Sequence, residues 1–221
     1  MLGLNKIRRQ EGDTLIEVLF AMTVFSLIVV TALSLMGQGV AAAQRSLEIT
    51  TVRQQIDGQA ETLRFLHEAF VAGYQSGQTF DPNDGISSPA EEYADIIKFA
   101  NKAYNSNARS TASKFAGAAT CAIPSNTASD FILNPVTAQL VTTADKPDVF
   151  KVAPLAAKLT FIGTGNQLES SQGMWIEAVR SSVSGTTAGF IDFHIRACWN
   201  VTGSNIPMNL GTIVRLYEPR A

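Results

Sequence analysis

Gly12-Asp13-Thr14-Leu15-Ile16-Glu17-Val18-Leu19-Phe20-Ala21-Met22 opens an apolar run that continues to Met36. From Val18 to Met36, 19 residues pass without a charge, interrupted only by the hydroxyls of Thr23, Ser26, Thr31 and Ser34. A helix crosses a bilayer core in about 20 residues at about 1.5 Å each, so this run has the length of a membrane span. Lys6, Arg8 and Arg9 precede it, and one carboxylate, Glu17, sits just inside its apolar part. The competing reading is a buried helix of a soluble protein. Basic flanks on one side only, ahead of so long a run, count against it.

A secretory signal peptide also has a basic segment followed by an apolar one, and Gly37-Gln38-Gly39-Val40-Ala41-Ala42-Ala43 resembles a small-residue cleavage site. The apolar segment is longer than the usual 7–15 residues of such peptides. It also carries Glu17, and a carboxylate costs about 2.5–3.5 kcal/mol at the centre of a membrane helix, less towards its end. A residue that expensive needs a partner or a purpose.

Gly12-Asp13-Thr14-Leu15-Ile16-Glu17-Val18-Leu19 closely resembles the processing site of bacterial type IV prepilins and type II secretion pseudopilins. That pattern is a short basic leader ending in Gly, then a residue often aromatic, then Thr-Leu-Ile-Glu-Val/Leu-Leu and a long apolar helix. The resemblance covers residues 1–45 and implies cleavage between Gly12 and Asp13 by a membrane aspartyl peptidase, N-methylation of the new amine, and retention of the helix. It implies that Glu17 guides assembly by neutralising the amine of a neighbouring subunit. Physics supports that pairing, since an α-amine is mostly protonated at neutral pH and pairing lowers the cost of burying either charge. Two residues depart from the pattern. Asp13 stands where an aromatic or aliphatic residue is usual, and Ser34 stands where the family commonly has a helix-bending proline. The missing proline and the large, irregular C-terminal domain favour a minor subunit.

The chain has 221 residues, 46% of them apolar and 16% charged, which suits one membrane helix and one globular domain. The formal charge is −2; without residues 1–12, 14 basic residues face 18 acidic ones, a net −4. No basic patch supports nucleic-acid binding. The positive leader is expected on the cytoplasmic side and the C-terminal domain outside, a compartment that permits disulfides. Cys121 and Cys198 are then a candidate pair, against the alternative of two buried free thiols.

Helical spacing continues beyond Met36. Ile49, Val52, Ile56, Ala60, Leu63, Leu66 and Phe70 form one stripe three and four residues apart, with Arg45, Glu48, Arg53, Asp57, Glu61, Arg64 and Glu68 largely off it. One helix is predicted from Thr14 to Ala72, stopped by Gly73. Ser88-Pro89-Ala90-Glu91 has the form of a capping box, starting a second helix to Tyr104 that buries Tyr93, Ile96, Ile97 and Ala100. Strands are predicted at Phe131–Val136, Val149–Val152, Lys158–Ile162, Met174–Arg180, Phe190–Trp199 and Thr212–Tyr217. The expected fold is α+β: a long N-terminal helix packed on an antiparallel meander. Its segments are a leader at 1–12, a membrane or filament-core helix at 13–36, an amphipathic continuation at 37–72, a connecting region at 73–130 and a β region at 131–221.

No catalytic set stands out. His67 and His194 lack metal-ligand spacing. Asp192 and His194 share a strand face, as polar residues on a half-exposed strand do. Asp81-Pro82-Asn83-Asp84-Gly85 breaks the calcium-loop alternation and reads as a turn. Gly163-Thr164-Gly165 lacks the rest of a dinucleotide fingerprint, and Asn200-Val201-Thr202 is a bare glycosylation sequon. The expectation is a non-enzymatic filament subunit with no cofactor and no metal. Its partners would be prepilin peptidase, other pilin subunits, the cytoplasmic membrane and the pilus assembly machinery. The alternative is a singly anchored extracytoplasmic binding or enzymatic domain that does not polymerise.

Overall fold

The computed structural model describes residues 13–80, 88–105, 121, 130–143, 145–163, 166–181, 189–201 and 206–219. The predicted loop at 81–87 lies outside them. Two compact units divide the chain, Met1–Glu48 and Ile49–Ala221. Helix α1 runs Asp13–Gln75 and α2 runs Pro89–Asn105. Eight strands follow: β1 Asp130–Leu133, β2 Leu140–Thr142, β3 Phe150–Lys151, β4 Lys158–Ile162, β5 Gln167–Gln172, β6 Met174–Arg180, β7 Phe190–Trp199 and β8 Met208–Tyr217. The α+β class and the long N-terminal helix are as the sequence predicts.

In the second unit the predicted stripe on α1 is the buried one. Val52, Ile56, Ala60, Leu63, Leu66 and Phe70 join the core, with Ile49 packed against it. The off-stripe residues Arg53, Asp57, Glu61, Arg64 and Glu68 are exposed. Gly73 does not stop the helix. Gly77 does, at φ +73°, with the Gln78 N–H donating to Gly73 C=O and the Gly77 N–H to Tyr74 C=O. These two bonds are those of a Schellman cap, where a left-handed residue satisfies the last carbonyls. Gly73 serves packing instead. A Cβ there would lie 2.8 Å from the Phe80 ring, which stacks on Phe70 at 4.9 Å.

The capping box forms as predicted. Glu91 Oε2 accepts the Ser88 N–H at 2.8 Å, and Ser88 Oγ accepts the Glu91 N–H at 3.3 Å. Of the predicted inner face of α2, Tyr93, Ile96 and Ala100 are buried and Ile97 half-buried.

The β region is not one meander. Five strands form a sheet in the order β2-β1-β6-β7-β8, and three form a second sheet in the order β3-β5-β4, in which β3 and β5 are parallel. The predicted strands at Lys158–Ile162, Met174–Arg180 and Phe190–Trp199 have the observed bounds. Phe131–Val136 is shortened because Asn134 turns the chain, its Oδ1 accepting the Val136 N–H and its N–H meeting Gln139 C=O. Val149–Val152 becomes a 3-10 turn, Pro147–Val149, and the two residues of β3. Thr212–Tyr217 begins four residues earlier, at Met208, where a ten-residue register with β7 starts. Two strands were not predicted: β2, which has only three residues, and β5, whose sequence is mostly polar. In β5, buried Ser170 and Ser171 take the inward places that apolar residues usually mark. The sheets meet at Gly173 (φ +65°), whose N–H donates to Lys151 C=O and whose C=O accepts the Cys198 N–H, both at 2.7 Å. A Cβ there would fall 2.2 Å from Cys198 O.

Candidate functional site

The first unit is where the sequence places its unusual chemistry. Every described side chain from Leu15 to Leu47 is exposed, and most of the large ones are apolar: Phe20 is 70% exposed, Phe25 64% and Met36 69%. The helix is long and apolar enough to cross a membrane. A helix apolar on all sides is stable only where lipid or other apolar helices cover it.

Its polar side chains divide into two kinds. Thr23 donates to Phe20 C=O at 2.7 Å, Ser26 to Met22 C=O at 2.7 Å and Thr31 to Leu27 C=O at 2.6 Å. Each hydroxyl is thereby satisfied by its own helix, so none demands a partner in an apolar medium. Glu17 has no such outlet. A carboxylate only accepts, so it cannot bond back to a helix carbonyl as a hydroxyl does. Glu17 makes no hydrogen bond or ion pair among the described residues and lies exposed on the rod. Among the described side chains from Leu15 to Leu47 it is the one carboxylate, and it must find a cation or donor from elsewhere once water is removed. Asp13 is the first residue of α1; Gly12 and the leader charges Lys6, Arg8 and Arg9 lie outside the described residues.

Cys121 and Cys198 form the predicted disulfide, with Cα atoms 5.3 Å apart. It ties residue 121 to the outer face of β7, the face that also carries Asp192, His194 and Arg196.

Asp192 and His194 each face a neighbouring strand. Both oxygens of Asp192 are occupied by Arg215 of β8, at 2.7 and 2.8 Å, and that guanidinium lies 4.0 Å above the Phe190 ring. His194 stands opposite Glu177 of β6. Burial pushes its pKa down from the ordinary 6.5, opposed by the charges of Asp192 and Glu177 and assisted by Arg196. His67 Nε2 meets Tyr217 C=O at 2.8 Å, and its ring sits edge-on to Tyr93 at 5.2 Å. Among the described residues no three His, Cys, Asp or Glu side chains converge on a metal-sized site. Thr202 of the glycosylation sequon and residues 164–165 of the Gly-Thr-Gly turn lie outside the described residues.

Sequence reasoning missed a different set, two glutamines one helical turn apart on α1. Gln59 is fully buried; its Nε2 donates to Leu133 C=O at 2.7 Å and its Oε1 accepts the Leu133 N–H at 3.0 Å. Gln55 Oε1 accepts the Leu159 N–H at 2.9 Å. Their spacing, i and i+4, places both on one face, but nothing in an isolated Gln announces a backbone partner 74 residues away. Comparison of the chain with known protein families, characterised proteins and solved structures finds no match.

Proposed function

We propose that this chain is a pilin-like structural subunit, cleaved after Gly12 by a prepilin peptidase and polymerised through its N-terminal helix. The observation that carries the reading is Glu17. It is the one carboxylate between Leu15 and Leu47, a stretch of exposed and mostly apolar helix, and it is directly preceded by Gly12-Asp13-Thr14-Leu15-Ile16. An ordinary membrane anchor gains nothing from such a group, whereas a polymer of parallel helices gains a positioning contact. Cleavage creates a protonated amine at Asp13, and Glu17 of an adjacent subunit is the acceptor it meets as helices slide together. Until that contact forms, each charge raises the cost of leaving the interface region. The pair thus selects one axial register, and apolar packing of residues 13–36 supplies the cohesion.

Before assembly the subunit sits in the cytoplasmic membrane with one span and its C-terminal domain outside; after assembly it belongs to an extracellular filament. Its partners are the prepilin peptidase, other pilin subunits and the pilus assembly machinery. Ser34 and the large C-terminal domain favour a minor subunit of a type IV pilus or type II secretion pseudopilus. Asp13 brings a second carboxylate to the new amine, and Ser34 leaves the helix without a proline kink.

The deciding measurement is the N-terminal residue and intact mass of the protein from its own cells. A chain beginning at Asp13 with one added methyl group is expected. An intact Met1, or a start beyond Met36, refutes the proposal. Glu17→Ala then separates a polymerising subunit from a plain anchor. Filament incorporation should be lost while membrane insertion is unchanged or improved.

A further inference from the structure

A sheet edge exposes backbone donors and acceptors, and soluble domains blunt such edges with charges, bulges or covering side chains. In this domain most edges are treated in that way. On β2, the Leu140 N–H donates to Glu92 of α2 at 3.1 Å, and Thr142 C=O accepts the Lys146 N–H at 3.1 Å. On β4, Gln55 takes the Leu159 N–H, and a bulge at Thr160/Phe161 breaks the ladder. β3 has only two residues, and the chain beyond it bridges from Ala153 to Trp199.

β8 is the exception. It is ten residues long, its register with β7 is unbroken, and it is the last strand of the five-stranded sheet. The Glu218 N–H donates to Gly189 C=O at 2.9 Å, which sets the phase of the ladder. In an antiparallel pair alternate residues turn both backbone groups the same way. Leu216, Val214 and Thr212 therefore face β7, and Tyr217, Arg215, Ile213 and Gly211 turn outward. His67 closes the Tyr217 end. The outward groups of Arg215, Ile213 and Gly211 have no hydrogen-bond partner among the described residues. The strand's one charge does not guard them, because Arg215 is folded back onto Asp192 and Phe190 of β7. Ile213 is left 61% exposed and Tyr217 56% exposed.

We infer that β8 is an interface for a second copy of this chain, joined edge to edge by antiparallel β8–β8 pairing. The occupant follows from the treatment of the other edges. A second copy has β2 and β4 already covered, so the open ladder it can offer is its own β8. The register follows from the side chains. Centring the two-fold axis on Ile213 sets isoleucine against isoleucine and places each Arg215 across from Gly211, which has no side chain to obstruct it. A shift of two residues in either direction loses the apolar pair, replacing it with Ile213 against Gly211 or against Arg215. The contact is isologous, as a two-fold requires. It makes no use of Glu17 or of cleavage after Gly12, and it stands or fails separately from the filament proposal.

The test uses the full chain reconstituted in lipid membranes, with the photo-reactive residue p-benzoylphenylalanine at position 213. Irradiation is expected to give a covalent dimer joined between position 213 of one copy and residues 211–215 of the other, located by mass spectrometry. Absence of a dimer, or cross-links to another part of the chain or to another protein, overturns the inference. A charge-swap series gives a second, independent readout. Ile213→Lys and Ile213→Glu alone, without the photo-reactive residue, should each lower the dimer fraction, read by energy transfer between labelled copies in the same membranes, by about tenfold, since like charges then meet across the axis. Mixing the two variants should restore it. Both substitutions fall on an exposed side chain, so the monomer keeps its fold. Equal dimerisation of wild type and of either variant alone overturns the inference.

Discussion

Replacing Gln59 by leucine should be among the most damaging changes of similar volume available in this domain. The strand β1 pairs with β6 only at Asp130↔Glu177 and Phe131↔Ile176, so the next outward pair of groups, on Leu133, has no strand beside it. The primary amide of Gln59 stands in for that strand, donating to the carbonyl and accepting from the N–H. Both residues are fully buried, and water does not replace the lost partner. Leaving a buried backbone group unpaired costs about 1–3 kcal/mol, so the pair costs about 2–6 kcal/mol. The leucine recovers part of this through apolar burial, leaving a net loss of about 2–4 kcal/mol. For a domain of this size that is a fall in Tm of about 5–15 °C. Gln55→Leu, at a half-buried site with one bond, should cost only about 0.5–1.5 kcal/mol. Thermal unfolding followed by the fluorescence of Trp175 and Trp199, both buried, compares the two variants. Hydrogen exchange at the Leu133 amide supplies the local readout, with protection lost in Gln59→Leu and kept in Gln55→Leu. A Gln59→Leu protein within about 0.5 kcal/mol of wild type, or with Leu133 still protected, refutes the reasoning.

The disulfide closes a separation of 77 residues. Chain entropy then predicts that reduction destabilises the domain by about 4.5 kcal/mol, measurable as a lower Tm in dithiothreitol. Gly173→Ala should unfold the domain or abolish its accumulation, because the new methyl group meets Cys198 O and the backbone is left-handed; normal accumulation at an unchanged Tm would contradict the sheet junction described above. Because burial holds the His194 pKa below its ordinary 6.5, the unfolded chain binds the proton more readily than the folded one. Stability from this group is therefore complete above about pH 6.5 and is lost as pH falls below it, and in His194→Gln the slope of Tm between pH 7 and 5 should flatten.

What was legible in the sequence depended on how far each residue's partner lies along the chain. The stripe from Val52 to Phe70 and the capping box at Ser88 are set by neighbours three or four residues away, and both formed as read. The alternation of Phe190–Trp199 likewise reports its own two faces. Gln59, Ser170 and Gly173 take their roles from residues 74, 10 and 25 positions distant, and no local pattern records such partners. β5 was missed for that reason, since Ser170 is buried against the Thr160 hydroxyl, a satisfied polar contact that mimics a loop in composition. Gly73 was misread because a glycine near a helix end has two uses, and only the packing of Phe80 tells which one applies. At the candidate site Gly12 to Glu17 are contiguous, so the motif can be read locally, whereas the role proposed for it depends on partners outside the chain.

The two halves of α1 answer to different surroundings, and this yields a last prediction. All core residues of the helix lie at Val52 or later, whereas from Leu15 to Leu47 no described side chain is buried. The compact unit Ile49–Ala221 contains both sheets, the disulfide and both glutamine clamps. Among the described residues the core of this unit begins at Val52, so the segment before it is expected to add little folding energy. A chain beginning at Ala43 keeps two turns of helix ahead of Val52 and discards the exposed apolar surface. Secreted to an oxidising compartment, it should accumulate in solution with the disulfide formed. Its Tm should lie within about 3 °C of that of the full chain in detergent, the shift expected from about 1 kcal/mol of helix fraying. Aggregation of this chain, or a much larger fall in Tm, would show that the first 42 residues stabilise the domain and that the apolar helix is not an independent module.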